Sequence, residues 1–103
     1  MSILLEFSMF PTDKGASVSK EVSRVIDMIR ESGIPYKLTA MGTIIETQTM
    51  EEALNIVQKA YDLLSEDSER IYSSINIDVR KTKNNRLTGK ISSVEDKIGK
   101  VNK

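Results

Sequence analysis

The 103-residue chain contains neither cysteine nor histidine, and these two absences narrow the functions open to it. Without cysteine it can form no disulfide, no thiolate nucleophile and no cysteine-ligated metal site. Without histidine it lacks the commonest general base and metal ligand, and no spacing of serine, lysine, aspartate or tyrosine suggests a substitute. We therefore expect a protein that is not an enzyme and that holds no metal and no cofactor.

Long hydrophobic runs are also missing. No stretch approaches the roughly 20 apolar residues of a membrane span, and the opening residues lack the basic start of a signal peptide. These features predict a cytoplasmic protein with no membrane partner. Acidic and basic side chains balance at 15 each, whereas nucleic-acid binding usually needs a clustered basic excess.

The length fits one domain, residues 1–103, with a modest core, because 39% of the residues are hydrophobic. A domain of this size buries a limited fraction of its surface, so oligomerisation is a reasonable expectation. There is no internal repeat and no interdomain linker.

Alternation and helical spacing divide the chain into six main elements. Strands are predicted over residues 2–10, 36–40, 43–47 and 70–80, and helices over residues 17–32 and from Thr49 to near Ser65. Ser17 is expected to cap the first helix, and Gly33 to end it. Met41-Gly42 reads as a tight connection in which glycine adopts a positive φ. A short final helix is expected over residues 93–99.

The first residues of the second helix carry a capping-box pattern. Thr49 would cap the helix while Glu52 reaches back to the Thr49 backbone N–H. The buried stripe of this helix is expected to consist of apolar residues at helical spacing, namely Ala53, Leu54, Val57, Ala60, Tyr61 and Leu64.

The order strand, helix, strand, strand, helix, strand is that of two split β-α-β units, the ferredoxin-like α+β fold. Right-handed crossovers place both helices on one face of a four-stranded antiparallel sheet, with strands in the order four, one, three, two. Strand one should turn its more apolar side, Ile3, Leu5, Phe7 and Met9, towards the helices.

The opposite face of the sheet then gathers polar groups. Strand one contributes Leu4, Glu6 and Ser8; strand three contributes Ile44 and Glu46 if Ile45 points to the helices; and strand four contributes Asn76 and Asp78. This pattern fits a solvated sheet face. It also fits a face closed by another subunit around a pocket, because neighbouring carboxylates repel unless a cation or hydrogen-bond donor joins them.

Five stretches of the chain resemble one known family. They are Phe10-Pro11 with Gly15-Ala16-Ser17-Val18-Ser19, Gly33-Ile34-Pro35-Tyr36-Lys37-Leu38-Thr39, Met41-Gly42-Thr43-Ile44-Ile45-Glu46, Ile75-Asn76-Ile77-Asp78-Val79-Arg80 and Arg86-Leu87-Thr88-Gly89-Lys90-Ile91-Ser92-Ser93-Val94-Glu95. In this respect the chain is similar to the small thiamine-binding proteins. The resemblance implies homo-oligomers, commonly tetramers built as dimers of dimers, and a site for thiamine or its pyrimidine moiety.

Thiamine carries a permanent positive charge and an aminopyrimidine, which suggests a division of labour among these residues. Glu46 and Asp78 would accept from the ligand, Ser8, Thr43 and Asn76 would orient it, and Leu4 and Ile44 would form apolar walls. Glu6, on the same face, is a further candidate to contact the ligand. Simpler interpretations stay open. Asp78 could pair with Arg80 or a basic loop residue, Thr43 could reflect strand propensity, and Glu6 could pair with Lys37 of a neighbouring copy.

Other functions fit parts of the sequence. The basic segment 80–86 could hold a small anion such as a phosphate ester, although charge in loops is more often solvated. The chain could instead be a regulatory or structural oligomer. RNA-binding modules share the ferredoxin-like plan but stack bases on aromatic residues of central strands. Strand three has none, and strand one has only Phe7, expected to face the helices.

Overall fold

A computed structural model of the chain describes residues 1–16 and 18–102. The elements, in chain order, are β1 Ser2–Pro11, α1 Ser19–Ser32, β2 Tyr36–Leu38, β3 Thr43–Thr47, α2 Met50–Ser65, β4 Ile71–Arg80 and α3 Arg86–Ile98. Ser17, the expected cap of the first helix, lies outside the described residues.

The strands form one four-stranded sheet in the order β2-β3-β1-β4, and every neighbouring pair is antiparallel. This is the predicted strand order, and with the β-α-β-β-α-β sequence of elements it confirms the ferredoxin-like α+β fold. The central strand β1 is therefore hydrogen-bonded on both sides, by β3 and by β4.

The core lies between the sheet and the helices α1 and α2. As predicted, the odd-numbered side of β1 is buried, and Ile45 of β3 joins it. The helices contribute the buried residues Val25, Ile29, Ala53, Ile56, Ala60 and Leu64. The predicted stripe of α2 was wrong in part, because Leu54 and Tyr61 are exposed and Ile56 takes the buried position. The apolar stripe in the sequence of α2 is therefore wider than the face that the helix buries.

Two local expectations need correction. Gly42 does not adopt a left-handed φ; a Cβ at this position would lie 3.0 Å from the Phe7 carbonyl oxygen, so close approach of two backbones is what requires glycine. Thr49 does cap α2, accepting from the Glu52 backbone N–H at 3.1 Å. The carboxylate of Glu52, however, meets the Thr49 hydroxyl at 3.0 Å instead of its backbone N–H.

Strand β4 extends beyond the cover of the helices. Ile75, Ile77 and Val79 lie on the helix side of the sheet, yet they are 41%, 40% and 41% exposed. The reason is position: β4 is an edge strand, and α2 packs mainly on β1 and β3. The sequence predicted the side these residues occupy, and the structure leaves that side open to solvent.

The last helix, α3, is longer than predicted. It begins at Arg86 instead of residue 93, and it ends before Gly99, whose φ of 89° suits glycine, as expected. The start of α3 was missed because residues 81–90 are mostly polar and include Gly89, which lies inside the helix. Helix α3 contacts β1 and β3 from the face opposite α1 and α2, so this face is partly covered by the chain itself.

Candidate functional site

The sheet face opposite α1 and α2, called the open face below, brings together most of the residues singled out from the sequence. Leu4 pairs with Glu46 on one side and with Asp78 on the other. Glu6 pairs with Ile44 and with Asn76 in the same way. Because paired residues on neighbouring strands point to the same side, these side chains share one surface.

Ser8 and Thr43 occupy different positions. Ser8 pairs with Ser74 further along β1 and belongs to the open face. Thr43 pairs with Phe7 and is buried, on the side that faces the helices. The structure therefore does not bring Thr43 to the other candidate residues, and its position agrees with the simpler interpretation, strand propensity.

Glu46 is engaged within the chain. Its Oε2 accepts from the Ser2 hydroxyl at 2.5 Å and from the Arg86 backbone N–H at 2.9 Å, and its Oε1 accepts from the Leu87 N–H at 3.1 Å. These N–H groups belong to the first turn of α3, whose own cap residue, Asn85, makes no side-chain capping bond. A carboxylate at this end satisfies unpaired donors and suits the helix dipole. Glu46 thus fixes the start of α3 on the open face.

The environment of Glu46 also determines its ionisation. Burial is the largest single influence and opposes the charged form, but the hydrogen bonds from Ser2, Arg86 and Leu87, with the charge of Arg86, outweigh it together. The pKa of Glu46 is consequently lowered. At neutral pH the residue is an anion whose hydrogen-bonding capacity is largely used.

Arg86 joins three elements through its side chain. Its guanidinium donates to the Asp78 carboxylate at 2.6 Å, to the Asp78 carbonyl at 2.7 Å, and to the Ser2 carbonyl and hydroxyl at 2.9 and 3.1 Å. The Arg86 side chain is only 11% exposed, whereas that of Asp78 is 71% exposed. Asp78 therefore pairs with a basic residue beyond β4, as one interpretation held, but it keeps one oxygen towards solvent.

The polar groups of Glu6 and Asn76, on the open face, have no such partner among the described residues. Across residues 1–16 and 18–102, neither the carboxylate of Glu6 nor the amide of Asn76 makes a hydrogen bond or ion pair within the chain. Both side chains are exposed, and they lie opposite one another on β1 and β4. Glu6 is thus the carboxylate most available to a ligand, although no sequence pattern favoured it over Glu46.

A cleft adjoins the open face where the 81–85 loop meets α3. It has a volume of about 520 Å³ and is called the basic cleft below. Its lining consists of Leu4, Asp78, Arg80, Lys83, Asn84, Asn85, Arg86, Gly89, Lys90 and Ser93. The sequence pointed to basic residues here, but it treated residues 81–90 as a loop and so missed the wall that α3 supplies.

Two classes of feature are absent from the part of the chain that the structure describes. It contains no group of three or more acidic, histidine or cysteine side chains placed to hold a metal ion. Among the same residues, no helix has the length and apolar character needed to cross a membrane.

Comparison with known proteins places the fold and the family. Residues 5–95 match the family model described as thiamine-binding protein. A UPF0045 protein of Mycobacterium bovis is 34% identical over 92% of this chain and 93% of its own length. A UPF0045 protein of Methanocaldococcus jannaschii is 34% identical over 89% of this chain and 91% of its own.

Solved structures give the same result. A hypothetical protein of Methanocaldococcus jannaschii has a TM-score of 0.81 and 33% identity, covering 92% of this chain and 97% of that one. A Thermotoga maritima protein named for thiamine biosynthesis or salvage has a TM-score of 0.78, covering 91% and 99% of the two chains. At 18% identity, the second likeness bears on the fold alone.

Proposed function

Because this chain belongs to the thiamine-binding protein family, we propose that it binds thiamine or a related cationic pyrimidine on its open face, without a chemical step. The observation that carries the proposal is the pair Glu6 and Asn76, a carboxylate and an amide that face each other with no partner within the described residues. A cationic ligand with an exocyclic amine supplies positive charge and donors to the Glu6 carboxylate, and the Asn76 amide can both donate to and accept from such a ligand.

The surroundings of this pair suit such a ligand. The exposed oxygen of Asp78 adds a second acceptor near the positive charge, and Ser8 adds a hydroxyl for a ring nitrogen. Leu4 and Ile44 are half-buried and offer apolar surface to a flat ring. Small-molecule sites commonly combine apolar walls with a few oriented polar groups. In this arrangement Glu46 positions α3, and Glu6 takes over the acceptor function first considered for Glu46.

A second copy of the chain would complete the site. Strand β4 is a ten-residue edge strand whose outer backbone groups are unpaired by the sheet, and it carries the exposed side chains Ile75, Ile77 and Val79. Exposed edges of this kind pair readily with another strand. We propose a two-fold dimer in which two β4 strands pair antiparallel, forming one continuous sheet; a tetramer would join two such dimers.

Complementarity selects a register for this pairing. With Ile77 opposite Ile77 of the partner subunit, Ile75 meets the partner's Val79, so the apolar side chains of the two copies lie side by side and contact each other. On the open face, Asn76 meets the partner's Asp78, which keeps like charges apart. The groups that would hold a ligand would then come from both subunits.

Isothermal titration calorimetry tests the function directly. We expect thiamine to bind wild type, Glu6→Gln to bind about tenfold more weakly through loss of one charge-assisted hydrogen bond, and Glu31→Gln, an exposed acid on α1, to bind as wild type. Mass spectrometry should recover the ligand unchanged after incubation. If millimolar thiamine gives neither heat of binding nor a thermal shift, thiamine is excluded as the ligand, and a purely structural or regulatory oligomer is favoured.

A further inference from the structure

Positive charge is concentrated in the basic cleft, although the whole chain has a formal net charge of zero. Arg80, Lys83 and Lys90 line the cleft, and among the described residues none of them forms an ion pair with a carboxylate. Of the acidic groups nearby, Glu46 is held at the start of α3, and Asp78 is paired with Arg86 through one oxygen while its other oxygen stays exposed. The cleft therefore presents an excess of cationic groups that the protein does not neutralise.

Helix α3 gives the cleft an ordered wall. Arg86, Gly89, Lys90 and Ser93 recur at helical spacing, so they form one stripe of the helix that faces the cleft. Gly89 lies in the helix interior, where glycine is unfavourable, and a Cβ at that position would meet no atom of the described residues within 4 Å. No packing constraint among residues 1–16 and 18–102 requires glycine here, but a ligand approaching the helix backbone would.

The basic cleft is continuous with the open face. Leu4 and Asp78 line the cleft and are also paired residues of the open face. Glu6 lies two residues along β1 from Leu4, on the same side, at about 7 Å given the usual rise of a strand. A ligand with a cationic end and an anionic end could thus contact Glu6 and the cleft together.

We propose that the basic cleft binds the phosphate group of a phosphorylated ligand, which, resting on the function proposed above, is a phosphate ester of thiamine. A phosphate monoester carries a charge of about −1.5 to −2 at neutral pH and accepts several hydrogen bonds. The planar guanidinium of Arg80 can donate paired hydrogen bonds to phosphate oxygens, and Lys83 and Lys90 supply compact positive charges. The cation of the same ligand lies towards Glu6 and Asn76, so each end meets the opposite charge.

Calorimetry of the full chain with three probes tests the proposal: thiamine, thiamine monophosphate and inorganic phosphate. We expect the monophosphate to bind at least about tenfold more tightly than thiamine at low ionic strength, as for a gained charge-assisted contact. The preference should shrink as salt rises from about 0.01 to about 1 M, because the screening length falls from about 30 to about 3 Å. Inorganic phosphate that binds as tightly as the monophosphate would identify free phosphate as the occupant of the cleft and overturn the assignment to a thiamine ester.

Two double variants distinguish the effect of positive charge in the basic cleft from the effect of positive charge elsewhere on the surface. Lys83→Gln with Lys90→Gln should bring the monophosphate-to-thiamine affinity ratio close to one. Lys20→Gln with Lys59→Gln makes the same charge change on the exposed surfaces of α1 and α2 and should leave the ratio unchanged.

The outcomes distinguish this inference from the proposed function. Thiamine binding with no preference for the monophosphate overturns the inference and leaves the proposed function standing. Phosphate binding that depends on Lys83 and Lys90, without thiamine binding, supports a phosphate site in the basic cleft and excludes thiamine as the ligand. Equal effects of both double variants would overturn the assignment to the cleft.

Discussion

The carboxylate of Glu46 and the backbone N–H of Arg86 are 40 positions apart in the chain and meet at 2.9 Å on the open face. Through this bond the central part of the sheet determines where the last helix begins. The side chain of Arg86 then reaches back to Asp78, so one residue links β3, α3 and β4. The basic cleft exists because this link holds α3 beside the end of β4.

The lowered pKa of Glu46 predicts how the free energy of unfolding depends on pH. Its pKa is lowered in the folded protein from the ordinary 4.5, so its contribution to the free energy of unfolding is fully present above pH 4.5 and is lost as the pH falls through the folded pKa. We expect Glu46→Gln to lower the free energy of unfolding by about 1 kcal/mol at pH 7 and by progressively less below pH 4.5. Urea denaturation at pH 7, 5 and 3 measures the difference.

The control for this experiment is Glu31→Gln, which removes an exposed acid that makes no hydrogen bond to α3. Its effect should stay small at every pH. A constant difference between wild type and Glu46→Gln from pH 7 to pH 3 would contradict the assignment of a lowered pKa to Glu46.

Arg86 should be intolerant even of lysine. Lysine cannot reproduce the fork of donors that contacts Ser2 and Asp78 at the same time. We expect Arg86→Lys to lower the free energy of unfolding by about 1.5–3 kcal/mol, or to release α3 locally while the rest stays folded. Hydrogen exchange along residues 86–98, combined with urea denaturation, distinguishes these two results.

Arg30→Lys is the matched control, because Arg30 is exposed and forms a single ion pair with Asp27 one turn away. Exposed pairs of this kind contribute little. Equal stability and equal exchange protection of α3 in the two variants would show that the Arg86 contacts do not hold the helix.

Much of this architecture could be predicted from sequence, because strand alternation and crossover handedness depend on local pattern. The open-face positions of Glu6, Asn76 and Asp78 followed from it. The placement of Thr43 was an avoidable error, since it shares the parity of Ile45, which was expected to face the helices. The partners of Glu46 and the start of α3 are different, because bonds between residues 40 positions apart leave no periodic signal.

The exposed stripe of β4 predicts how copies of the chain associate. Ile77→Lys places a charge at the centre of the proposed β4–β4 pairing, where it would face its own symmetry mate and repel it. We expect wild type to form dimers or tetramers and Ile77→Lys to shift to smaller species at the same concentration, as measured by native mass spectrometry. Weaker thiamine binding should accompany the shift, because the proposed site draws on both copies.

Met41→Lys is the control for association, since Met41 is 85% exposed in the β2–β3 connection, at the opposite edge of the sheet. It should leave the distribution of species unchanged. If wild type is monomeric at working concentration, or if both variants dissociate alike, then pairing through β4 is wrong and the open face must be completed by this chain alone.

A substitution at Gly89 is expected to stabilise the fold and to weaken ligand binding. Alanine fits the space at this position and suits a helix interior better, so Gly89→Ala should raise the free energy of unfolding by about 0.5–1 kcal/mol. For a domain of this size that corresponds to a rise in Tm of about 2–8 °C. The methyl group that this substitution adds narrows the basic cleft, and we expect it to weaken binding of thiamine monophosphate several-fold more than binding of thiamine.

Ser92→Ala is the control for Gly89→Ala, because it also improves helix propensity in α3 while Ser92 does not line the cleft. It should raise Tm slightly and leave the binding of both ligands unchanged, as measured by thermal unfolding and calorimetry. A stabilised Gly89→Ala protein that binds both ligands as wild type does would show that no ligand approaches this turn of α3, and the glycine would then have no functional reason to be there.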